Sequence, residues 1–257
     1  MDKASIGGVI LALAGIVAGL LIEGGNLGQI LQPTAALIVF GGTMGAVLLQ
    51  FPLTTVVAAF GRLAHVFSAP RSHDNQLIHQ LVAFANKARR NGVVSLDGDL
   101  QAIEDPFLKQ ALMLAVDGTE PSELRKIMRV SLESAAESED RLPAVFESAG
   151  GFSPTIGILG AVLGLIQVMQ HLDNIQEVGR GIAVAFVATI YGVGVANLFF
   201  LPFAGKLRIR MRENSLRHEM MLEGVISILE GMNPRMLEVK LSGFLHHADR
   251  DKKERVA

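Results

Sequence analysis

Two apolar stretches decide the fold: SAGGFSPTIGILGAVLGLIQVMQHL (residues 148–172) and GIAVAFVATIYGVGVANLFFLPFAG (residues 181–205), joined by the short polar segment DNIQEVGR (173–180). Each runs for 25 residues without a Lys, Arg, Asp or Glu. At roughly 1.5 Å of rise per residue, each exceeds the roughly 30 Å hydrocarbon core of a bilayer, so together they predict a transmembrane hairpin. Small residues recur at close spacing in both, Gly157, Gly160, Ala161 and Gly164 in the first and Ala185, Ala188, Gly192, Gly194 and Ala196 in the second. Such residues let helix backbones approach where lipid supplies no hydrophobic driving force for association. Each stretch also has a proline near one end, Pro154 at the entry of the first and Pro202 at the exit of the second.

Composition agrees with a membrane protein. The 257 residues are 50% hydrophobic and only 19% charged, with mean hydropathy +0.39, too apolar for an ordinary soluble domain of this length. The chain has no Cys, which excludes disulfides, thiolate metal sites and cysteine nucleophiles. A net charge of -2 gives no basic balance that would favour nucleic acid. Residues 4–22 form a further uncharged run, too long for the apolar core of a signal peptide and with no cleavage site before Glu23, and are read as the first transmembrane helix.

The turn-rich Glu23-Gly-Gly-Asn-Leu-Gly follows, then an uncharged stretch over 24–61. A second span is placed at about 33–50. It stops at Phe51-Pro52 because the residue before proline is pushed out of the helical region. Residues 53–61 read as an amphipathic helix along the membrane surface. The domains are thus 1–61 (first hairpin plus interfacial helix), 62–147 (a polar helical domain), 148–205 (second hairpin) and 206–257 (a helical tail). The 62–147 segment holds 10 Lys/Arg and 13 Asp/Glu, with apolar residues at helical spacing (Leu77, Ile78, Leu81; Leu108, Ala111, Leu112), which predicts three or four helices. Thr119-Glu120-Pro121-Ser122-Glu123 is a helix start whose helix can run through the acidic 133–140 stretch towards the membrane. Gly231 and Pro234 break the tail, and the charged 249–255 stretch is expected to be disordered. The fold class is all-α, a polytopic membrane protein with four transmembrane helices and a helical cytoplasmic domain.

Of the 23 Lys/Arg, 10 fall in 62–147 and 11 after Gly205, with Lys206, Arg208, Arg210 and Arg212 immediately beyond the last span. By the positive-inside rule both long polar segments and both termini are cytoplasmic, and the turns near 23–32 and 173–180 face outward.

The spans contain no Asp, Glu, Lys or Arg. Intramembrane ionisable groups are the usual proton relays, so a proton path here must borrow one from a partner. The spans do offer hydroxyl and amide groups: Thr155, Gln167, Thr189, Tyr191 and Asn197. A hydroxyl in such a helix commonly bonds back to its own backbone or holds a neighbouring helix. Thr189 with Tyr191, flanked by small residues above Pro202, is the pair that could line a pore. In the polar domain Lys87, Arg89 and Arg90 are separated by Gly92 from Asp97 and Asp99, which describes either a solvated helix end or a charged contact surface. His246-His247 reads as tail decoration. Walker, GxSxG and HExxH signatures are all missing, so nothing in the sequence supports an enzyme or a cofactor.

Several of these strings resemble the A subunits of flagellar motor stators, the motility protein A family with its proton-type and sodium-type members. They are Asn86 to Asp97 (NKARRNGVVSLD), Asp105-Pro106-Phe107-Leu108-Lys109, Asp117-Gly118-Thr119, the Pro154 to Ile166 run, and Ala188-Thr189-Ile190-Tyr191-Gly192 with Pro202 and Lys206. The likeness spans roughly 4–245. It implies a proton-driven torque generator, a homopentamer around a dimer of B subunits. Each B subunit would be peptidoglycan-anchored, with a single span bearing the ion-accepting aspartate. It further implies that Pro154 and Pro202 couple ion binding to movement, and that Thr189 lines the ion path. Arg89, with Arg90 as an adjacent candidate, and Asp97 would engage a rotor switch-complex protein; Asp97 stands where the family commonly has Glu, a reach one methylene shorter. Sodium-type relatives place a threonine at the position of Ala161, so its absence favours protons. The location implied is the bacterial inner membrane. Two rival readings are an energiser of outer-membrane transport, whose members usually have three spans, and a plain membrane scaffold, which would need nothing of Pro154, Pro202 or Thr189.

Overall fold

The computed structural model describes residues 2–67 and 74–245; His246, His247 and the 249–255 stretch lie outside them. No strand occurs among the described residues, and the fold is all-α as the sequence indicates. The helices are α1 (Lys3–Ile22), α2 (Pro33–Gln50), α3 (Leu53–Phe67), α4 (Asp74–Asn91), α5 (Pro106–Val116), α6 (Pro121–Gln170), α7 (Ile175–Leu229) and α8 (Pro234–Ser242). A 3₁₀ segment, Val93–Ala102, links α4 to α5. Four helices, α1, α2, α6 and α7, are long and apolar enough to cross a membrane.

The chain forms two compact units, one of Met1–Pro70 with Glu139–Ile209, the other of Arg71–Ser138 with Arg210–Ala257. The third and fourth spans are therefore not free-standing helices. Each is the apolar part of a much longer one, α6 with 50 residues and α7 with 55. Nothing stops α6 between its start at Pro121 and its end at Gln170: the acidic 133–140 stretch stays helical, and both Pro143 and Pro154 lie inside the helix. The surface helix expected over 53–61 continues as α3 to Phe67.

In the membrane unit α1 buries none of its residues, while Asp2 caps its N-terminus, its carboxylate accepting from the amides of Ala4 and Ser5 at 3.1 and 3.5 Å. Helix α2 contains a π turn at Leu37–Gly41 and ends at Phe51, whose extended backbone (φ -121°, ψ 145°) is what the following Pro52 demands. Its Ala35 and Val39 pack with Val184, Val187 and Ala188 of α7. The polar unit is built differently, around one Leu- and Met-rich core. Leu81, Leu96, Leu108, Leu112, Leu124, Met128, Val225, Ile226, Leu237 and Leu241 are all at most 1% exposed in it.

Candidate functional site

The second hairpin is a glycine-lined seam. A Cβ added at Gly157 would lie 2.8 Å from the Ala188 carbonyl oxygen, one at Gly160 2.7 Å from the Ala188 Cβ, and one at Gly164 2.7 Å from the Gly181 carbonyl oxygen. From the other side, a Cβ at Gly192 would lie 2.6 Å from the Ser153 carbonyl oxygen. Position rises along α6 as it falls along α7, so the two helices run antiparallel in near backbone contact. Of the small residues picked out in the sequence, Gly157, Gly160, Gly164, Ala185, Ala188 and Gly192 are thus used inside the hairpin, whereas Gly194 faces open space. Ser153, fully buried, adds a cross-helix bond: its Oγ donates to the Gly192 carbonyl at 3.1 Å. Sequence reading missed Ser153, because a lone serine in an apolar run carries no periodic signal.

The hydroxyls expected along an ion path fall into two groups. The Oγ1 of Thr155, on the exposed side of α6, donates to the Phe152 carbonyl at 2.7 Å, and that of Thr189 to the Ala185 carbonyl at 3.2 Å. Both bond back to their own helices yet keep lone pairs available as acceptors. Tyr191 is engaged elsewhere. Its hydroxyl donates to the Ile30 carbonyl at 2.5 Å and accepts from the Gln32 amide at 3.4 Å, pinning the α1–α2 connection to α7. A phenol with both functions met by backbone serves as a latch in this chain. Ala161, half-buried, adds no polar group. His171, the one titratable side chain in the first apolar run, lies just past the end of α6, its Nδ1 3.0 Å from the Gln167 carbonyl oxygen.

Each of the two prolines lies within a continuous helix. Proline removes one N–H and crowds the carbonyl four residues earlier. Before Pro202, α7 widens into a π turn, Ala196–Phe200, where the Leu201 amide bonds five residues back to the Ala196 carbonyl and the Asn197 side-chain amide donates to the Val193 carbonyl at 2.9 Å. The extra residue gives the ring room without ending the helix. Pro154 follows the buried Ser153 and precedes Thr155, so the α6 turn that lacks a backbone bond carries two side-chain ones instead.

Two ion pairs tie the cation-rich end of the fourth span. Lys206 Nζ lies 2.5 Å from Asp2 Oδ2, and Arg208 lies 2.7 Å from Glu147 Oε1. The hydrogen bond from Lys206 holds the Asp2 carboxyl down at about 2, with help from Ser5 and against the opposing effect of burial. The contact also puts the start of α1 level with the end of the fourth span.

On the polar unit, Arg89 and Arg90 occupy the last turn of α4, where cations suit the helix dipole. Gly92, at φ +78°, then turns the chain into the 3₁₀ segment in a conformation side chains resist. Lys87 pairs with Asp99 across this turn at 2.7 Å. Arg89, Arg90 and Asp97 are exposed, with no ion pair to any described residue. A further charged cluster of this unit lies elsewhere. Glu223 of α7 receives Arg125 of α6 and, at 2.9 Å, Lys240 of α8, which also donates to the buried Ser227 at 3.0 Å. Burial pushes the Glu223 carboxyl up, but the Arg125 and Lys240 hydrogen bonds outweigh it and hold the group below its ordinary value; Arg125 is raised in return. No sequence signal marks Glu223, because its partners stand 98 and 17 residues away.

Set against known proteins, residues 6–92 match the motility protein A N-terminal model, and residues 99–220 match the MotA/TolQ/ExbB proton channel family model. Motility protein A of Bacillus subtilis (strain 168) is 36% identical over 97% of this chain and 93% of its own. The chain belongs to the motility protein A family. Motility protein A is a stator component of the flagellar motor and a proton-channel subunit, and as a member this chain is not an enzyme. Solved structures agree. The C. jejuni MotAB structure superposes with a TM-score of 0.91 at 34% identity, covering 96% of this chain and 97% of that one. The flagellar MotAB stator complex from Bacillus subtilis gives 0.89 at 36%, covering 98% and 99%. The separate match of 6–92 to the motility protein A model distinguishes this chain within the broader channel family, whose model also covers TolQ and ExbB.

Proposed function

We propose that this chain conducts protons together with a single-span, peptidoglycan-anchored B subunit and turns the flow into torque on the flagellar rotor. The observation that carries this reading is the lack of any Asp, Glu, Lys or Arg in 4–22, 33–50, 148–170 and 181–205 of a proton-channel family member. A proton crossing mid-membrane needs a titratable acceptor. With none in these spans, the acceptor is an aspartate of the partner, and the MotAB composition of the structural relatives supports such a partner. Thr189 and Thr155 offer it hydroxyl oxygens; the engaged Tyr191 holds α7 in place. Ala161 supplies no oxygen, and one or two threonines are too few to replace the hydration shell of sodium, so the coupling ion is the proton.

In this reading five copies surround two B subunits in the inner membrane, both termini are cytoplasmic, and Arg89, Arg90 and Asp97 meet a rotor switch-complex protein. Pro154 and Pro202 let the pore helices adopt two arrangements as the partner aspartate gains and loses its proton. The cation cluster after the fourth span, level with Asp2, supports this orientation. The test joins ion and proline. Swimming should collapse with a protonophore and be indifferent to replacing sodium by potassium at constant pH, and Pro154→Ala and Pro202→Ala should assemble normally but not swim. Speed that follows external sodium after the proton gradient is dissipated would overturn the ion assignment. Normal swimming of both proline variants would overturn the coupling role.

A further inference from the structure

The two proline turns of the second hairpin lie against each other. Pro154 has no N–H for the carbonyl four residues earlier in α6, that of Gly150. Gly150 meets the deformed turn of α7: a Cβ added there would be 2.6 Å from Leu201 Cδ2 and 3.6 Å from Phe200 Cβ. Phe200 ends the π turn and Leu201 precedes Pro202. Nearly one helical turn further along α6, the buried Ser153 donates to the Gly192 carbonyl at 3.1 Å. The same carbonyl accepts from the N–H of Ala196, the residue at which the π turn begins, and that N–H is shared with the Val193 carbonyl. A carbonyl oxygen has two lone pairs, and this one serves both helices. A cavity of about 50 Å³ borders the two turns, with Ala149 on one side and Phe200 on the other. Close-packed interiors resist displacement, so a void at this place leaves the Phe200 ring room to shift.

We propose that Ser153 is a positioning residue that ties the Pro154 turn of α6 to the π turn of α7, so that the two turns loosen and tighten together. This role rests on Pro154 and Pro202 acting as coupling residues and adds the link between them. A serine inside a helix commonly bonds a carbonyl of its own preceding turn. Ser153 instead reaches across to α7, at the residue whose carbonyl also takes the first N–H of the π turn. Packing of Gly150 on Leu201 brings the turns together but does not fix their register, because a dispersion contact is weak per atom pair and tolerates small displacements. The hydrogen bond is directional and weakens steeply once donor and acceptor fall out of line. A loosening at Pro154 that moves the Ser153 backbone therefore pulls on the Gly192 carbonyl and changes its hold on Ala196.

The test is amide hydrogen exchange over residues 192–201 in the purified complex of this chain with its B subunit, held in lipid nanodiscs. Pro154→Ala restores an N–H to the Gly150 carbonyl and tightens α6. With Ser153 present, it should slow exchange in the α7 segment about threefold, the factor that corresponds to about 0.6 kcal/mol, the average for a cross-helix bond in a membrane. In a Ser153→Ala background, which removes one buried atom, Pro154→Ala should leave exchange over 192–201 unchanged. Ser153→Cys keeps a weak donor of similar size and should retain part of the slowing. Equal slowing by Pro154→Ala in the Ser153 and Ser153→Ala backgrounds overturns the positioning role, as does no slowing in either. Swimming reads the coupling role separately: Pro154→Ala that swims normally while its slowing of exchange depends on Ser153 removes the coupling role and leaves the link between the turns standing.

Discussion

The membrane unit and the polar unit are both helical, yet they are held together in opposite ways. In the polar unit large side chains fill the space between helices, Leu81, Leu112, Met128, Ile226 and Leu241 each being at most 1% exposed. In the membrane unit the large side chains point away from the hairpin seam, with Ile158, Leu159 and Leu163 of α6 more than half exposed, and the contact is made by glycine and alanine. Water drives apolar surface together at about 25 cal/mol per Å², so leucine is the natural cement where water is the alternative. Lipid is as apolar as leucine and offers no such gain, so the spans associate through close backbone packing and cross-helix hydrogen bonds such as Ser153 to Gly192. The same substitution should therefore have opposite consequences in the two units.

The largest expected effect on swimming is at the seam. Gly157→Val and Gly192→Leu force side chains onto backbone atoms that cannot move aside, and overpacking of this kind costs about 1–3 kcal/mol or more. Both variants should lose folded protein from the membrane fraction and abolish swimming, measured by protease resistance and motility. Gly15→Ala, which meets open space, should leave both unchanged. Wild-type levels of folded Gly192→Leu would show that the seam is not close-packed.

Next comes the polar core. Leu112→Ala, at a 1% exposed position, should destabilise by about 2–5 kcal/mol in thermal unfolding of the solubilised protein. Leu163→Ala, on the exposed side of α6, should change stability by less than about 0.5 kcal/mol. Equal effects would erase the contrast between the units.

A smaller effect belongs to the ion centre. Glu223→Gln removes a charged acceptor from Arg125 and Lys240, a loss of about 1.5–3 kcal/mol for hydrogen bonds to a charged group. Its pH signature has a defined sign. Because the folded-state pKa of Glu223 is lowered, the unfolded chain binds more protons in acid; the stabilisation is complete above the unfolded value of about 4.3 and disappears as pH falls through the lower folded value. That acid limb should be absent from Glu223→Gln, as read from unfolding midpoints across pH.

The smallest effect on stability is at the exposed charges. Arg89→Ala and Asp97→Asn should leave unfolding within about 0.5 kcal/mol of the parent. If these residues meet the rotor, the same variants should slow swimming partly and charge reversals should slow it more. Swimming like the parent in the Arg89→Glu, Asp97→Lys double variant would reduce them to a solvated surface.

Spans, small-residue faces and breaks were legible in the sequence because each rests on local chemistry. A run of uncharged residues has nowhere to sit but lipid, Pro52 decides the conformation of Phe51 whatever surrounds it, and glycines at helical spacing permit close approach before any partner is known. Motif strings around Arg89, Pro154 and Thr189 likewise carried the family. What tertiary structure alone decided is where each polar group finds its partner. Only the fold showed that the Tyr191 hydroxyl holds Ile30, 161 residues away; Ser153 was invisible until Gly192 lay beside it; Asp2 met Lys206 from near the other end of the sequence. The reason is that a hydrogen bond or ion pair depends on atoms within about 3 Å in space, and separation along the sequence does not constrain it. Periodicity reports which face of a helix is apolar, whereas only the folded chain determines what that face meets.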